Sequence, residues 1–301
     1  MAFKLPGPEP AQTLQGHEGA VLSLSWTKNG QYVMTASQDK SVRLWNPHTG
    51  KHIKKFAGCY NQEVNDVLIA EDNSKFVSCG SDKLIFQWDV TSGQVIRKFT
   101  GHDRKVNALA FGPKEEVLLS ASHDKTVRIW DLRARGKGPI QVLTGAVDSV
   151  LCLMTHGDEI ITGSVDGALR TYDVRQGQLV TDQLQQPIGS ISVSNDGECL
   201  LVSTLDSQIH LLEHLDGSEL TSYTGHSNKR VKVQSALDPT DSFIVSGSED
   251  GKLHFWELVE ATPLPGGQSH SSAVLCVAFF EETLVSASAD GVIKVWRPSS
   301  G

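Results

Sequence analysis

The amino-acid sequence predicts an all-β fold in which seven small antiparallel sheets form one closed ring. Three observations lead to this prediction: a repeat of about 40 residues, strand-like patterning within each repeat, and a strand pattern at the N-terminus that complements an incomplete last repeat. A ring of such sheets is a seven-bladed β-propeller, closed here by pairing of the N-terminal strand with the C-terminal blade.

The repeat is marked by an aspartate followed six residues later by Trp or an apolar substitute. Successive aspartates lie 40 to 44 residues apart, and the copies cover the chain. We therefore predict a single propeller domain over residues 11–298, preceded by a flexible tail over residues 1–10. The marker pairs are Asp39/Trp45, Asp82/Trp88, Asp124/Trp130, Asp166/Tyr172, Asp206/Leu212, Asp250/Trp256 and Asp290/Trp296.

Each repeat contains four strand patterns, which the third repeat shows clearly. VNALAF (106–111), VLLSAS (117–122), TVRIWD (126–131) and IQVL (140–143) are short apolar or alternating runs separated by turn residues. A four-stranded sheet cannot bury both of its faces alone, so neighbouring sheets must stack around an axis.

The two ends of the chain predict how the ring closes. The seventh repeat supplies three strand patterns, and AQTL (11–14) is a fourth that has no repeat of its own. Pairing the two completes one blade and removes open sheet edges, which otherwise favour aggregation.

Composition excludes several classes of function. The chain of 301 residues has a net charge of −8, so no general basic field exists to bind nucleic acid or an anionic membrane. No apolar run has the length of a membrane span, and the five cysteines form no CxxC pair. We expect no cofactor, no metal, no membrane partner, no sequence-specific nucleic-acid binding, and a reducing compartment.

The stretch SASHDKTVRIWD (120–131) contains the Ser, His and Asp of a hydrolase. Similar sets recur in four repeats, whereas a catalytic triad needs one nucleophile and one base in one cleft. We therefore predict no catalytic residue. The four sets, called quartets below, are His17, Thr35, Asp39 and Trp45; His102, Ser120, Asp124 and Trp130; His226, Ser246, Asp250 and Trp256; and His270, Ser286, Asp290 and Trp296.

A period of 40 to 45 residues with Gly-His early and Trp-Asp late resembles the WD40-repeat family. The resemblance implies that the histidine of a quartet lies in the loop entering a blade and the aspartate in the turn between the second and third strands, joined by hydrogen bonds. The second, fourth and fifth repeats have Tyr60, Ala146 and Leu184 near the histidine position, and Leu212 replaces the fifth Trp. We expect these blades to be looser.

Four longer stretches resemble one branch of that family, the WD40 scaffolds that organise mitogen-activated protein kinase cascades and associate with spliceosomes. This resemblance implies a non-catalytic adaptor of the cytoplasm and nucleus, monomeric on its own, with kinase-cascade components or spliceosomal proteins as partners in signalling or mRNA splicing. The alternative is a substrate receptor of a ubiquitin ligase complex. The stretches are WDVTSGQVIRKFTGH (88–102), GSVDGALRTYDVRQGQL (163–179), STLDSQIHLL (203–212) and SEDGKLHFWELVE (248–260).

The quartets place the turns and the entering loops on one face, around the mouth of the central channel. Apolar residues with a charged rim are typical of a protein-binding patch. The alternative is that several of the leucines turn inward and pack the blades. The predicted patch consists of Leu22, Lys105, Leu151, Val165, Leu205, Arg230, Lys232 and Glu249.

Two basic clusters also stand out. Arg133, Arg135 and Lys137 precede Ile140-x-Val142, which loosely resembles a kinase docking peptide, although a solvated loop explains the same residues. The second cluster is Lys229, Arg230 and Lys232. Neither has the interleaved aromatic residues that RNA binding needs.

Overall fold

The computed structural model describes residues 5, 7, 9–134, 136 and 138–298. These residues form 28 strands in seven four-stranded antiparallel sheets and contain no α-helix. The all-β, seven-bladed propeller predicted from the sequence is therefore confirmed. The described residues form no helix with the length and apolar character needed to cross a membrane.

The strands of a blade are called a to d, from the channel outwards. After β1 (Gln12–Leu14), blade one consists of β2 (Val21–Trp26), β3 (Val33–Ser37), β4 (Val42–Asn46) and β5 (Lys51–Phe56). Blade two consists of β6 (Val64–Ile69), β7 (Lys75–Gly80), β8 (Ile85–Asp89) and β9 (Val95–Phe99). Blade three consists of β10 (Val106–Phe111), β11 (Val117–Ser122), β12 (Val127–Asp131) and β13 (Gln141–Leu143).

The remaining blades follow the same order. Blade four consists of β14 (Val150–His156), β15 (Glu159–Ser164), β16 (Ala168–Asp173) and β17 (Gln178–Gln183). Blade five consists of β18 (Ile188–Val193), β19 (Cys199–Thr204), β20 (Gln208–Glu213) and β21 (Glu219–Tyr223). Blade six consists of β22 (Ser235–Leu237), β23 (Phe243–Ser246), β24 (Lys252–Glu257) and β25 (Pro263–Gln268). Blade seven contains β26 (Val274–Phe280), β27 (Thr283–Ser288) and β28 (Ile293–Trp296).

The first strand of the chain completes the last blade. β1 pairs antiparallel with β28, with Gln12 opposite Val295 and Leu14 opposite Ile293. The predicted closure of the ring is confirmed. Of the predicted N-terminal tail, residues 1–4, 6 and 8 lie outside the described residues, and the Gly7 N–H donates to the Arg297 carbonyl at 2.9 Å.

Strand bounds within blade three follow the sequence patterns closely. β10 and β11 coincide with the predicted runs, whereas β12 begins at Val127, one residue later than predicted. Thr126 belongs to the preceding turn because its N–H and its hydroxyl both donate to the Asp124 carboxylate. A local side-chain bond of this kind competes with strand pairing.

The hydrophobic core lies between adjacent blades. One cluster joins Met34 and Phe56 of blade one to Phe76 and Trp88 of blade two. Strand b is the most enclosed strand, and every residue of β3 is buried. Stacking of blade on blade thus buries the sheet faces that a single blade leaves open.

Candidate protein-binding site at the channel mouth

The quartet of blade one is fully hydrogen-bonded. His17 Nδ1 donates to the Asp39 carboxylate at 2.7 Å, and the Thr35 hydroxyl lies 2.8 Å from His17 Nε2. The Trp45 Nε1–H donates to the same hydroxyl at 2.9 Å. The quartet of His102 in blade three repeats these contacts at 2.7, 2.7 and 2.9 Å. In both blades the network ties the entering loop to the b–c turn.

The turn carboxylates of these quartets are strongly stabilised as anions. Burial on its own would raise the pKa of Asp39, but hydrogen bonds from His17 and Ser41 hold that pKa well below its usual range. His102 and Thr126 have the same effect on the pKa of Asp124. Both aspartates are therefore ionised and serve as fixed acceptors.

Blade seven has part of this network. His270 Nε2 lies 2.7 Å from the Ser286 hydroxyl, which also accepts from the Trp296 Nε1–H at 2.8 Å. His270 Nδ1 has no hydrogen-bond partner among the described residues. The Asp290 carboxylate accepts instead from the hydroxyls of Ser271 and Ser288.

Blade six departs from the prediction, because its quartet is not joined. Trp256 Nε1–H donates to the Thr224 carbonyl at 3.0 Å, and the Ser246 hydroxyl donates to the Gly247 carbonyl at 2.9 Å. His226 is buried, and neither of its ring nitrogens has a hydrogen-bond partner within the described part of the chain.

Two features distinguish blade six from blades one and three. His226 precedes the turn aspartate by 24 residues instead of 22, and His254 lies four residues after that aspartate. Its ring stacks on Trp256 at 5.8 Å, and its Nε2 lies 3.4 Å from the Asp250 carboxylate. His254 therefore faces the carboxylate that His226 would need. Blades one and three have Arg43 and Arg128 at the equivalent position.

Two blades that lack the histidine have other polar links, which the sequence analysis missed. The Tyr60 hydroxyl bonds the Ser78 hydroxyl at 2.5 Å in blade two, and the Trp88 Nε1–H donates to Ser78 at 3.0 Å. In blade four, Arg170 Nη2 donates to the Asp166 carboxylate at 2.9 Å. The signal for Tyr60 was its spacing, since it precedes Ser78 by 18 residues, as His17 precedes its own Thr.

Strand a carries a bulge near its first residue in six blades, and these bulges shape the channel mouth. A bulge re-aims the extra residue away from the regular ladder. Five of the bulged residues line a depression of about 270 Å³ at the mouth. They are Leu22, Asn65, Asn107, Leu151 and Leu275.

Four of the eight predicted patch residues line this depression. They are Leu22, Lys105, Leu151 and Lys232, and Val231 joins them with a side chain that is 40% exposed. The sequence analysis missed Val231.

The other four predicted residues, Val165, Leu205, Arg230 and Glu249, do not line the depression. Val165 and Leu205 are half-buried in the b–c turns of blades four and five, where their N–H groups each donate to a backbone carbonyl at 2.9 Å. Leu22 and Leu151 are also half-buried, and these two form part of the floor of the depression.

Polar groups below the mouth hold the blades together. Asp66 accepts from the Ser23 hydroxyl at 2.5 Å and from the Leu109 N–H at 2.7 Å, which links blades one, two and three. Burial raises the pKa of Asp66, and the charge of Lys232 opposes that effect. Lys232 Nζ itself donates to the Leu151 carbonyl at 3.1 Å. These groups are engaged in structural bonds.

Cys152, on strand a of blade four, is buried. Burial raises the pKa of Cys152 to about 11, so its thiol is protonated and a poor nucleophile. Within the described ranges, no group of three or more His, Cys, Asp or Glu side chains is placed to hold a metal ion.

The basic loop of blade three lies on the outer side of the ring. Arg133 pairs with Glu116 at 2.8 Å, while Arg135 and Lys137 lie outside the described residues. Ile140 and Val142 are 62% and 41% exposed.

Comparison with known proteins agrees with this architecture. A family model described as the IFT122 first beta-propeller matches residues 63–301, and the WD domain, G-beta repeat model matches residues 8–46. The chain is 41% identical to WD repeat domain-containing protein 83 of Homo sapiens, covering 99% of this chain and 96% of that protein. It is 32% identical to the homolog of that protein in Dictyostelium discoideum, covering 96% and 98%. The chain belongs to the WD40-repeat family of β-propeller proteins.

Proposed function

We propose that this protein is a non-catalytic adaptor that assembles protein complexes through the mouth of its channel. The observation that carries the proposal is the depression itself, where aliphatic bulge residues form a floor beside Lys105 and Lys232. An apolar centre with a charged rim matches the composition of protein interfaces. The closed ring supplies a rigid support, which limits the entropy lost on binding.

The proposal includes partners and a place of action. Kinase-cascade components and spliceosomal proteins are the proposed partners, in the cytoplasm and the nucleus, because of the four long stretches that resemble scaffolds of that kind. The alternative of a ubiquitin-ligase substrate receptor gains no support from the relatives named above. The protein is proposed to act as a monomer that engages proteins rather than nucleic acid.

The test compares a mouth variant with a side variant in affinity capture followed by quantitative mass spectrometry. Lys105→Glu with Val231→Glu alters exposed positions at the mouth, whereas Val142→Glu alters an exposed position on the outer strand β13. Nuclear and cytoplasmic fractions are probed separately. We expect the mouth variant to lose kinase-cascade or spliceosomal proteins that the side variant retains.

Retention of every partner by the mouth variant, or their loss from the side variant alone, would place the binding surface elsewhere and contradict the proposal. Equal unfolding temperatures of the two variants provide the folding control.

A further inference from the structure

A carboxylate of the protein itself occupies an anion-binding loop at the channel mouth. Glu249 Oε1 accepts hydrogen bonds from three consecutive backbone N–H groups, those of Lys229 at 2.8 Å, Arg230 at 2.5 Å and Val231 at 3.1 Å. Successive N–H groups that converge in this way form a concave site for anions. Residues 229–231 are called the anion loop below.

The charge state of Glu249 agrees with this geometry. Burial opposes its ionisation, but the three N–H groups and the charge of Arg230 together lower the pKa of Glu249. The carboxylate is half-buried, and its three hydrogen bonds lie where water and other solutes have access. An external carboxylate can therefore compete for the same donors.

The anion loop adjoins the depression at the mouth. Val231 and Lys232 line that depression together with Lys105, and the side chains of Lys229 and Arg230 are exposed beside it. None of these four cations forms a salt bridge with another described residue. Lys232 is engaged by the Leu151 carbonyl and by the charge of Asp66, and Glu63 also lines the depression, so the cations available to a ligand are Lys105, Lys229 and Arg230.

We propose that the anion loop and the depression bind an acidic peptide segment of a partner protein. A Glu or Asp side chain of the segment replaces Glu249 on the three N–H groups, and an adjacent aliphatic side chain enters the depression over Leu22 and Leu151. Glu249 thus acts as an internal competitor. The inference rests on the proposed function, because it names the chemistry of the partner at the same surface.

The exchange is balanced in charge and in hydrogen bonds. One carboxylate leaves the loop as another arrives, so no N–H group is left without an acceptor. The released Glu249 becomes hydrated, and the acidic residues of the peptide gain the unpaired cations of the rim. Charge-assisted bonds of this kind are stronger than neutral ones, which favours a carboxylate over an amide.

The experiment measures binding of a fluorescein-labelled peptide with alternating Glu and Leu by fluorescence anisotropy. Glu249→Gln removes the competing charge while it keeps the size of the side chain, and we expect it to tighten binding at least about threefold. Arg230→Glu should weaken binding at least about threefold. Glu282→Gln, on the exposed hairpin between β26 and β27, is the matched control and should leave the affinity unchanged.

Three outcomes would overturn the inference. They are an affinity of Glu249→Gln equal to or below that of the wild type at unchanged unfolding temperature, equal binding of a peptide with Gln in place of Glu, and tighter binding of a phosphopeptide or an oligonucleotide. Absence of binding to both the wild type and Glu249→Gln would also overturn it. If captured partners depend on Lys105 and Val231 while the acidic probe is indifferent to Glu249, the adaptor function stands and this inference alone fails.

Discussion

The two blades with a complete quartet have an arginine four residues after the turn aspartate, whereas blade six has a histidine there. Arg43 and Arg128 lie 3.9 and 3.7 Å from their turn aspartates, and the histidine of each quartet keeps its own bond to the same carboxylate. In blade six, His254 stacks on Trp256 and faces Asp250. The buried His226 packs against Trp256, and its ring nitrogens have no hydrogen bond to a described residue.

We therefore expect replacement of His102 and of His226 by alanine to lower the free energy of unfolding by unequal amounts. His102→Ala deletes a ring and removes one hydrogen bond each from the Ser120 hydroxyl and the Asp124 carboxylate, which adds roughly 0.5–1.5 kcal/mol per bond to the cost of the cavity. His226→Ala deletes a ring of equal size that makes no hydrogen bond to a described residue. We expect urea unfolding to show the larger loss of stability for His102→Ala.

The wild-type protein and a surface variant, Glu282→Ala, serve as references for the slope of the unfolding curve. Equal losses for the two histidine variants would show that the quartet bonds contribute nothing beyond packing.

At the level of single elements, the sequence predicts strands well because their signal is local. The runs 106–111 and 117–122 became β10 and β11 without change, since apolar alternation and flanking turns are both written in adjacent residues. The closing strand was also predicted, because AQTL was a strand pattern without a blade.

What the sequence pattern did not predict depends on contacts between residues far apart in the chain. His226 precedes Asp250 by 24 residues, whereas the histidine precedes the turn aspartate by 22 residues in blades one and three, and His254 packs beside it. Leu22 and Leu151 were predicted at the mouth, but the bulges that set the direction of their side chains have no clear mark in the sequence. The hydrogen bonds between Glu249 and the anion loop were not predicted, because they depend on the conformation of that loop.

The closing strand β1 is expected to contribute to the stability of the ring through Leu14. Leu14 is 1% exposed and packs in the core shared by blades one and seven, so Leu14→Ala should cost about 2–5 kcal/mol of stability. Val142→Ala, on the outer strand β13 with 41% exposure, should change stability by less than about 0.5 kcal/mol. Urea unfolding measures both.

The substitution should also free the edge of β28, because β1 is then held more weakly. We expect faster proteolysis before residue 15 and a concentration-dependent increase in apparent mass by light scattering. An unchanged stability of Leu14→Ala would mean that β1 does not fasten the ring.

Across the whole molecule, the blades differ in the length of strand a and in the completeness of their quartets. Strand a of blade six, β22, has 3 residues, whereas β2, β6 and β10 have 6 each. A polar cavity of about 390 Å³ lies along strands a of blades five, six and seven, with Ser192 and Ser235 in its lining. The incomplete quartets occur in two of the three blades of this sector, six and seven.

The same sector determines how the protein responds to acid. Burial, helped by the charge of His254, lowers the pKa of His226 to about 4, and burial with the charge of Lys294 lowers the pKa of His270 to about 4. Between the ordinary value of 6.5 and this value, the unfolded chain binds protons that the folded chain does not. The free energy of unfolding therefore falls as the pH drops below 6.5. The turn carboxylates Asp39 and Asp124 behave differently, because their contribution to stability persists below pH 4.

We predict that the free energy of unfolding decreases by roughly 2 kcal/mol for each of these two imidazoles between pH 7.5 and pH 5. His226→Phe keeps an aromatic ring at the same buried site and removes the titrating group, so its decrease should be smaller than that of the wild type by roughly 2 kcal/mol. Urea unfolding at the two pH values measures the difference. A pH dependence of His226→Phe equal to that of the wild type would contradict the assignment, because the acid sensitivity would then arise outside blade six.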